Sequence, residues 1–170
     1  KLLGHEYKGT VQILRNFLGY GFMWEELRMK GGAYGAMTLI NRDCDYVHVT
    51  YRDPHIKNTL KTFEKIPLYL ENLDLEQKEI DKYIIGTIAD LDLPVKPYVK
   101  GFRKLLHYIK GISYEDEKTE REQILSTSNE DLKEFGAVVG EVLDENLYVV
   151  VGNREKIDDN KRSEEHTSEL

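Results

Sequence analysis

The sequence predicts an α+β domain in which an antiparallel sheet is packed by helices, and three features carry that expectation. Apolar residues follow helical spacing before Gly31-Gly32 and a period of two after it. Past Asp53-Pro54 helical spacing returns, punctuated by capping residues, for most of the remaining chain. The chain has 170 residues, 40% of them apolar, which is enough for one core without disulfide or metal staples. Helices gathered on an antiparallel hairpin make an α+β arrangement.

The elements follow in order. Val11, Leu14, Phe17 and Leu18 predict a helix over Tyr7–Gly19. Gly19 and Gly21 interrupt it, and Phe22, Met23, Trp24 and Leu27 resume as a second short helix or a kinked continuation, ended by Gly31-Gly32. Ala33–Ile40 and Asp45–Tyr51 read as strands, the second alternating Val47, Val49 and Tyr51 with Tyr46, His48 and Thr50. Asn41-Arg42-Asp43-Cys44 is short enough to make them a hairpin. Asp53 as cap and Pro54 at the first helical position start a helix with Ile56, Leu60 and Phe63 as its buried stripe, and Pro67 breaks or restarts it. Asp74 with Gln77 resembles a capping box opening a helix that carries Ile80, Ile84 and Ile88. Asp90–Pro97 is a loop, Tyr98–Ile109 a helix stopping near Gly111, and Ser113/Asp116 and Ser128/Asp131 cap two more helices. Leu147–Val151 is expected to be a short buried strand.

Composition narrows function. One cysteine, Cys44, excludes an internal disulfide framework or a multi-cysteine zinc site, and its predicted turn gives it no nucleophile's partners. No apolar run reaches membrane-spanning length, so no membrane partner is expected. A net charge of −7 argues against nucleic acid as a partner. The acidic residues Glu115, Asp116, Glu117, Glu120 and Glu122 are expected on a solvated helix face.

The termini read as cut. Lys1-Leu2-Leu3 has no Met, and Arg162–Leu170 resembles one reading frame of a short-read sequencing adapter. Residues 1–161 are therefore taken as a partial C-terminal domain and 162–170 as a non-native tail. Removing that tail leaves a net charge of −5.

The chemistry-bearing stretch is Trp24-Glu25-Glu26-Leu27-Arg28-Met29-Lys30-Gly31-Gly32-Ala33-Tyr34-Gly35. Its turn can bring the Arg28 guanidinium and the Tyr34 phenol to one side. Both donate hydrogen bonds at neutral pH and neither is a base there, which suits charge on a carbonyl oxygen. Two plainer roles stand beside this one. An arginine at a helix C-terminus complements the dipole, and a tyrosine at a strand start packs half-buried.

Arg28-Met29-Lys30-Gly31-Gly32-Ala33-Tyr34-Gly35, followed by Thr50-Tyr51-Arg52-Asp53-Pro54, resembles the C-terminal half of presequence-protease-type peptidases. These belong to the insulinase–pitrilysin inverzincins, and the likeness covers about residues 4–155. It implies an α/β-roll domain closing over a chamber in which short unstructured peptides are cut. Arg28 and Tyr34 would polarise the scissile carbonyl, Gly31 and Gly32 would allow the turn, and Arg52 would contact substrate. The family's H-x-x-E-H zinc motif is absent here, and His5, His48, His55, His107 and His166 have no ligand spacing. The resemblance therefore implies no metal in this chain, with zinc and its general base in the N-terminal half of the same polypeptide. Peptide substrates and that N-terminal half are the partners implied, a bacterial cytoplasmic location is the expectation, and the fragment alone is expected to be inactive. The alternative is a non-catalytic homologue that binds peptides or scaffolds a subunit.

Overall fold

The hairpin forms where the sequence alternates. A computed structural model describes residues 5–43 and 45–165 of the chain. Strands β1 (Gly35–Ile40) and β2 (Tyr46–Tyr51) pair antiparallel with Gly35 opposite Tyr51 and Ile40 opposite Tyr46. Asn41 closes the turn: its Oδ1 accepts from the backbone N–H of Asp43 at 2.9 Å and of Asp45 at 3.2 Å. The face bearing Thr38, Tyr46 and His48 turns inward, whereas Met37, Leu39, Val47 and Tyr51 are exposed. Cys44, with the thiol expected in the turn, and both chain ends, Lys1–Gly4 and 166–170, lie outside the described residues.

Helix α1 (Val11–Tyr20) packs on β1 and buries Ile13, Leu14, Phe17 and Leu18. Each such side chain stabilises by about 1.5–3 kcal/mol when fully buried. It starts four residues later than its apolar spacing predicts. The second helical segment, Trp24–Lys30, is a π-helix with Glu25 and Glu26 in its first turn and Arg28 and Lys30 in its last, the polarity the helix dipole favours. Seven residues of apolar spacing cannot separate an α from a π period, so the sequence does not distinguish them.

Among the described residues seven α-helices follow the hairpin: α2 (Ile56–Phe63), α3 (Ile66–Glu71), α4 (Gln77–Leu91), α5 (Pro97–Lys110), α6 (Tyr114–Leu125), α7 (Asn129–Asp144) and α8 (Arg154–Glu165). Ile66, Leu70, Ile80, Ile84, Ile124, Leu132 and Val139 join α1 in one core. Inside it the Asn16 amide donates to Thr87 Oγ1 at 2.8 Å and ties α1 to α4. Helices α3 and α7 approach closely because Gly136 has no side chain: a Cβ there would lie 3.0 Å from the Pro67 carbonyl oxygen.

Several expected details shift. Helix α2 begins at Ile56 with His55 as its cap, so Pro54 precedes the helix; Asp53 instead accepts from the His55 N–H at 2.9 Å and from Thr59. Thr59 and Thr62 are its buried residues, while Ile56, Leu60 and Phe63 are half-buried. Helix α4 is capped at Glu76, whose N–H donates to the Glu79 carboxylate at 3.4 Å; Asp74 lies too far upstream. Ser113/Asp116 and Ser128/Asp131 form the two capping boxes the sequence predicts.

Leu147–Val151 is not a strand, and Leu147, Val149 and Val151 are 88%, 90% and 94% exposed. A strand needs a hydrogen-bonding neighbour, and among the described residues the hairpin is the only sheet. The acidic stretch of α6 is also less solvated than expected. Glu120 takes both the Tyr7 hydroxyl and the Arg42 guanidinium, and Glu117 pairs with Lys104 at 2.5 Å. These pairs bind α6 to the hairpin turn and to α5.

Two glycine substitutions test the packing by urea denaturation. Gly101→Ala, with open space around it in α5, is expected to stabilise by about 0.5–1 kcal/mol. Gly136→Ala gains the same helix propensity but meets Pro67 and Glu71, and is expected to destabilise by about 1–3 kcal/mol. Equal shifts in the two variants would contradict the close α3–α7 contact.

Candidate functional site

The site lies at the open end of the hairpin, where the π-helix hands the chain to β1. The turn is fixed by the backbone. The Gly32 N–H donates to Arg28 O at 3.1 Å and the Ala33 N–H to Leu27 O at 2.9 Å. Gly32 sits at φ +74°, a left-handed conformation that costs other residues about 1–2 kcal/mol. A Cβ on Gly31 would lie 2.6 Å from Leu27 O, so neither glycine is freely replaceable. Leu27 and Ala33 are buried on either side and anchor the turn beneath the exposed side chains.

Arg28 and Tyr34 project from this turn and both are exposed. The guanidinium of Arg28 stacks on Trp24, 4.0 Å from the ring centroid. The Tyr34 ring lies edge-on to Tyr51 at 6.0 Å, and Arg52 sits over both rings at 5.7 and 5.5 Å. The structure thus brings Tyr34 and Arg52 together and holds Arg28 separately on its own aromatic support. Among the described residues no hydrogen bond or ring contact joins Arg28 to Tyr34.

Trp24 and Tyr51 are the residues that sequence reasoning missed as supports. The first precedes Arg28 by four positions on a helix, and the second stands opposite Gly35 in the hairpin register, so both relations are legible in the spacing. Arg52 itself is held at φ +50°, one of two non-glycine residues with positive φ among those described. Its carbonyl oxygen shares the Tyr34 N–H with that of Tyr51, at 3.4 and 3.1 Å. Backbone strain of this kind clusters at functional sites.

One histidine, His48, lies inside the domain and away from this surface. His48 is enclosed under the hairpin: Nδ1 meets Thr38 Oγ1 at 3.0 Å, Nε2 meets the Tyr46 hydroxyl at 2.9 Å, and the ring stacks on Phe63. Burial pushes its pKa down to about 3, so the ring is neutral. Among the described residues no three His, Cys, Asp or Glu side chains gather as a metal site.

The sequence decides the family. Residues 3–154 match the family described as the PreP C-terminal domain. The chain belongs to that family. It is 38% identical over 161 residues to Protein HypA of Clostridium perfringens, a match covering 95% of this chain and 16% of that protein. It is 33% identical over 163 residues to presequence protease 1, chloroplastic/mitochondrial, of Arabidopsis thaliana, covering 94% of this chain and 15% of that protein. The mitochondrial presequence protease of Xenopus tropicalis is 30% identical over 128 residues, 75% of this chain and 12% of that protein. The chain therefore spans about one-sixth or less of these relatives. Around its glycine turn the chain exposes Arg28, Tyr34 and Arg52. No helix among its described residues is long and apolar enough to cross a membrane.

Two measurements check this geometry. Arg52→Gly should be more stable than Arg52→Ala by about 1 kcal/mol in chemical denaturation, since both lose the guanidinium and only glycine relieves the positive φ. Equal stabilities would remove the strain. His48 has a folded pKa below its unfolded value, so the unfolded chain binds the extra proton and stability falls as pH drops from about 6.5 towards 3. Between about pH 7.5 and 5 the loss should be about 2 kcal/mol, and His48→Gln should flatten that part of the profile.

Proposed function

We propose that this chain is the C-terminal, chamber-forming part of a zinc metalloendopeptidase that degrades short unstructured peptides. The observation that carries the reading is a glycine turn that fixes the backbones of two hydrogen-bond donors, Arg28 and Tyr34, neither of which accepts a proton at neutral pH, in a domain of the PreP family. Arg28 and Tyr34 polarise the scissile carbonyl of the bound peptide, each donating to the oxygen as negative charge develops. Gly31 and Gly32 allow the turn from which both project, and Arg52 binds the substrate backbone beside Tyr34. Zinc and the general base belong to the N-terminal half of the parent polypeptide, whose closure against this domain completes the site. The parent works in a bacterial cytoplasm, and this chain by itself does not hydrolyse peptides.

Donor roles of this kind have a kinetic signature. In the intact parent enzyme Arg28→Ala and Tyr34→Phe should each lower kcat by about 10²–10³, or about 3–4 kcal/mol, with zinc content unchanged. The assay is cleavage of a quenched fluorescent peptide, with metal measured in parallel. Full activity in both variants would remove the catalytic role and favour a non-catalytic homologue that only binds or scaffolds.

A further inference from the structure

One cavity adjoins the site and has no place in the chemistry described so far. It has a volume of about 490 Å³ and opens beside the π-helix, with Tyr20, Trp24, Met29 and Tyr69 among its walls. The charged side chains that line it are acidic only, Glu25 and Glu26. We propose that this pocket is a subsite for the side chain of a basic residue, arginine or lysine, in an extended peptide. The inference rests on the peptide-substrate reading above and adds a side-chain preference to it.

The chemistry of the walls selects that class. Aromatic faces accept the aliphatic stem of a long basic side chain and attract its cationic head. Trp24 already carries one guanidinium, that of Arg28 at 4.0 Å. A carboxylate pair at the margin supplies the counter-charge. In the free chain that role is filled from within: Lys30 Nζ lies 3.0 Å from Glu25 and 2.6 Å from Glu26. These carboxylates hold the Lys30 ammonium above its ordinary pKa, first through Glu26 and then through Glu25. All three side chains are solvent-accessible, and solvent-screened ion pairs of this type contribute little to stability. A peptide cation can therefore displace Lys30 at little cost. A purely apolar side chain would gain the walls but leave the carboxylate pair unused. Because Arg28 lies on the same π-helix, a peptide anchored here runs beside the proposed carbonyl donor.

Trp24 is the single tryptophan of the chain, so its emission reports occupancy directly. The 170-residue chain is titrated with N-acetyl-Gly-Gly-Arg-Gly-Gly-amide and with the norleucine counterpart, while fluorescein-labelled versions of both are followed by anisotropy. The arginine peptide is expected to change Trp24 emission at least tenfold more tightly than the norleucine peptide, and less tightly as salt rises. Combined Glu25→Gln and Glu26→Gln should weaken it at least tenfold. Lys30→Gln should tighten it severalfold, whereas Lys133→Gln on α7, with the same change of charge, should not; circular dichroism confirms that each variant is folded. Equal response to norleucine, or indifference to the two glutamates, overturns the basic-residue assignment. Anisotropy showing peptide bound while Trp24 emission stays constant removes the subsite and leaves the peptide-substrate reading standing. No binding by either readout removes both.

Discussion

The structure depends on the covering of one face of a two-stranded hairpin. A lone hairpin is marginal in water, and this one persists because α1 and Phe63 close over Thr38, Ile40, Tyr46 and His48. The contact is apolar at its edges and hydrogen-bonded at its centre, where Thr38 and Tyr46 satisfy both nitrogens of a neutral imidazole. The proposed site lies at the far end of that hairpin, where the π-helix enters β1. If the inner face separated from α1, the register that sets Tyr34 beside Tyr51 would have no reason to hold.

The same one-sidedness explains what lies exposed. Met37, Leu39, Val47 and Tyr51 form the outer hairpin face, and α5 buries none of its residues while Tyr98, Phe102, Leu105 and Ile109 lie along one side. Its basic side is turned to the protein, with Lys104 on Glu117 and Lys110 on Asp43 at 2.5 Å each. Ion pairs thus orient α5 with its apolar stripe outward. An apolar surface of this extent suits a domain that spans about one-sixth of its relatives' length.

At the site, rigidity comes from backbone and reach from side chains. The turn is fixed by backbone bonds from Gly32 to Arg28 and from Ala33 to Leu27, and the buried Leu27 and Ala33 hold it down. Arg28, Tyr34 and Arg52 stand above that base on aromatic supports. Their exposed positions suit groups that meet a substrate or another part of the protein, since no hydrogen-bond acceptor among the described residues takes up their side-chain donors.

Much of this was legible from spacing alone. The switch from helical to alternating period at Gly31-Gly32 located the turn, the serine capping boxes placed α6 and α7, and the eight-residue motif around Arg28 and Tyr34 pointed to the family. These are local properties, set by backbone sterics and by hydrogen bonds that close within a few residues. Tertiary structure alone decided the rest. Whether Leu147–Val151 became a strand depended on a neighbour, whether Glu120 was solvated depended on Arg42 arriving from 78 residues away, and whether Arg28 faced Tyr34 or Trp24 depended on how the π-helix was wound. Partners distant in sequence leave no periodic trace, because the energy that selects them exists only once the chain has brought them together.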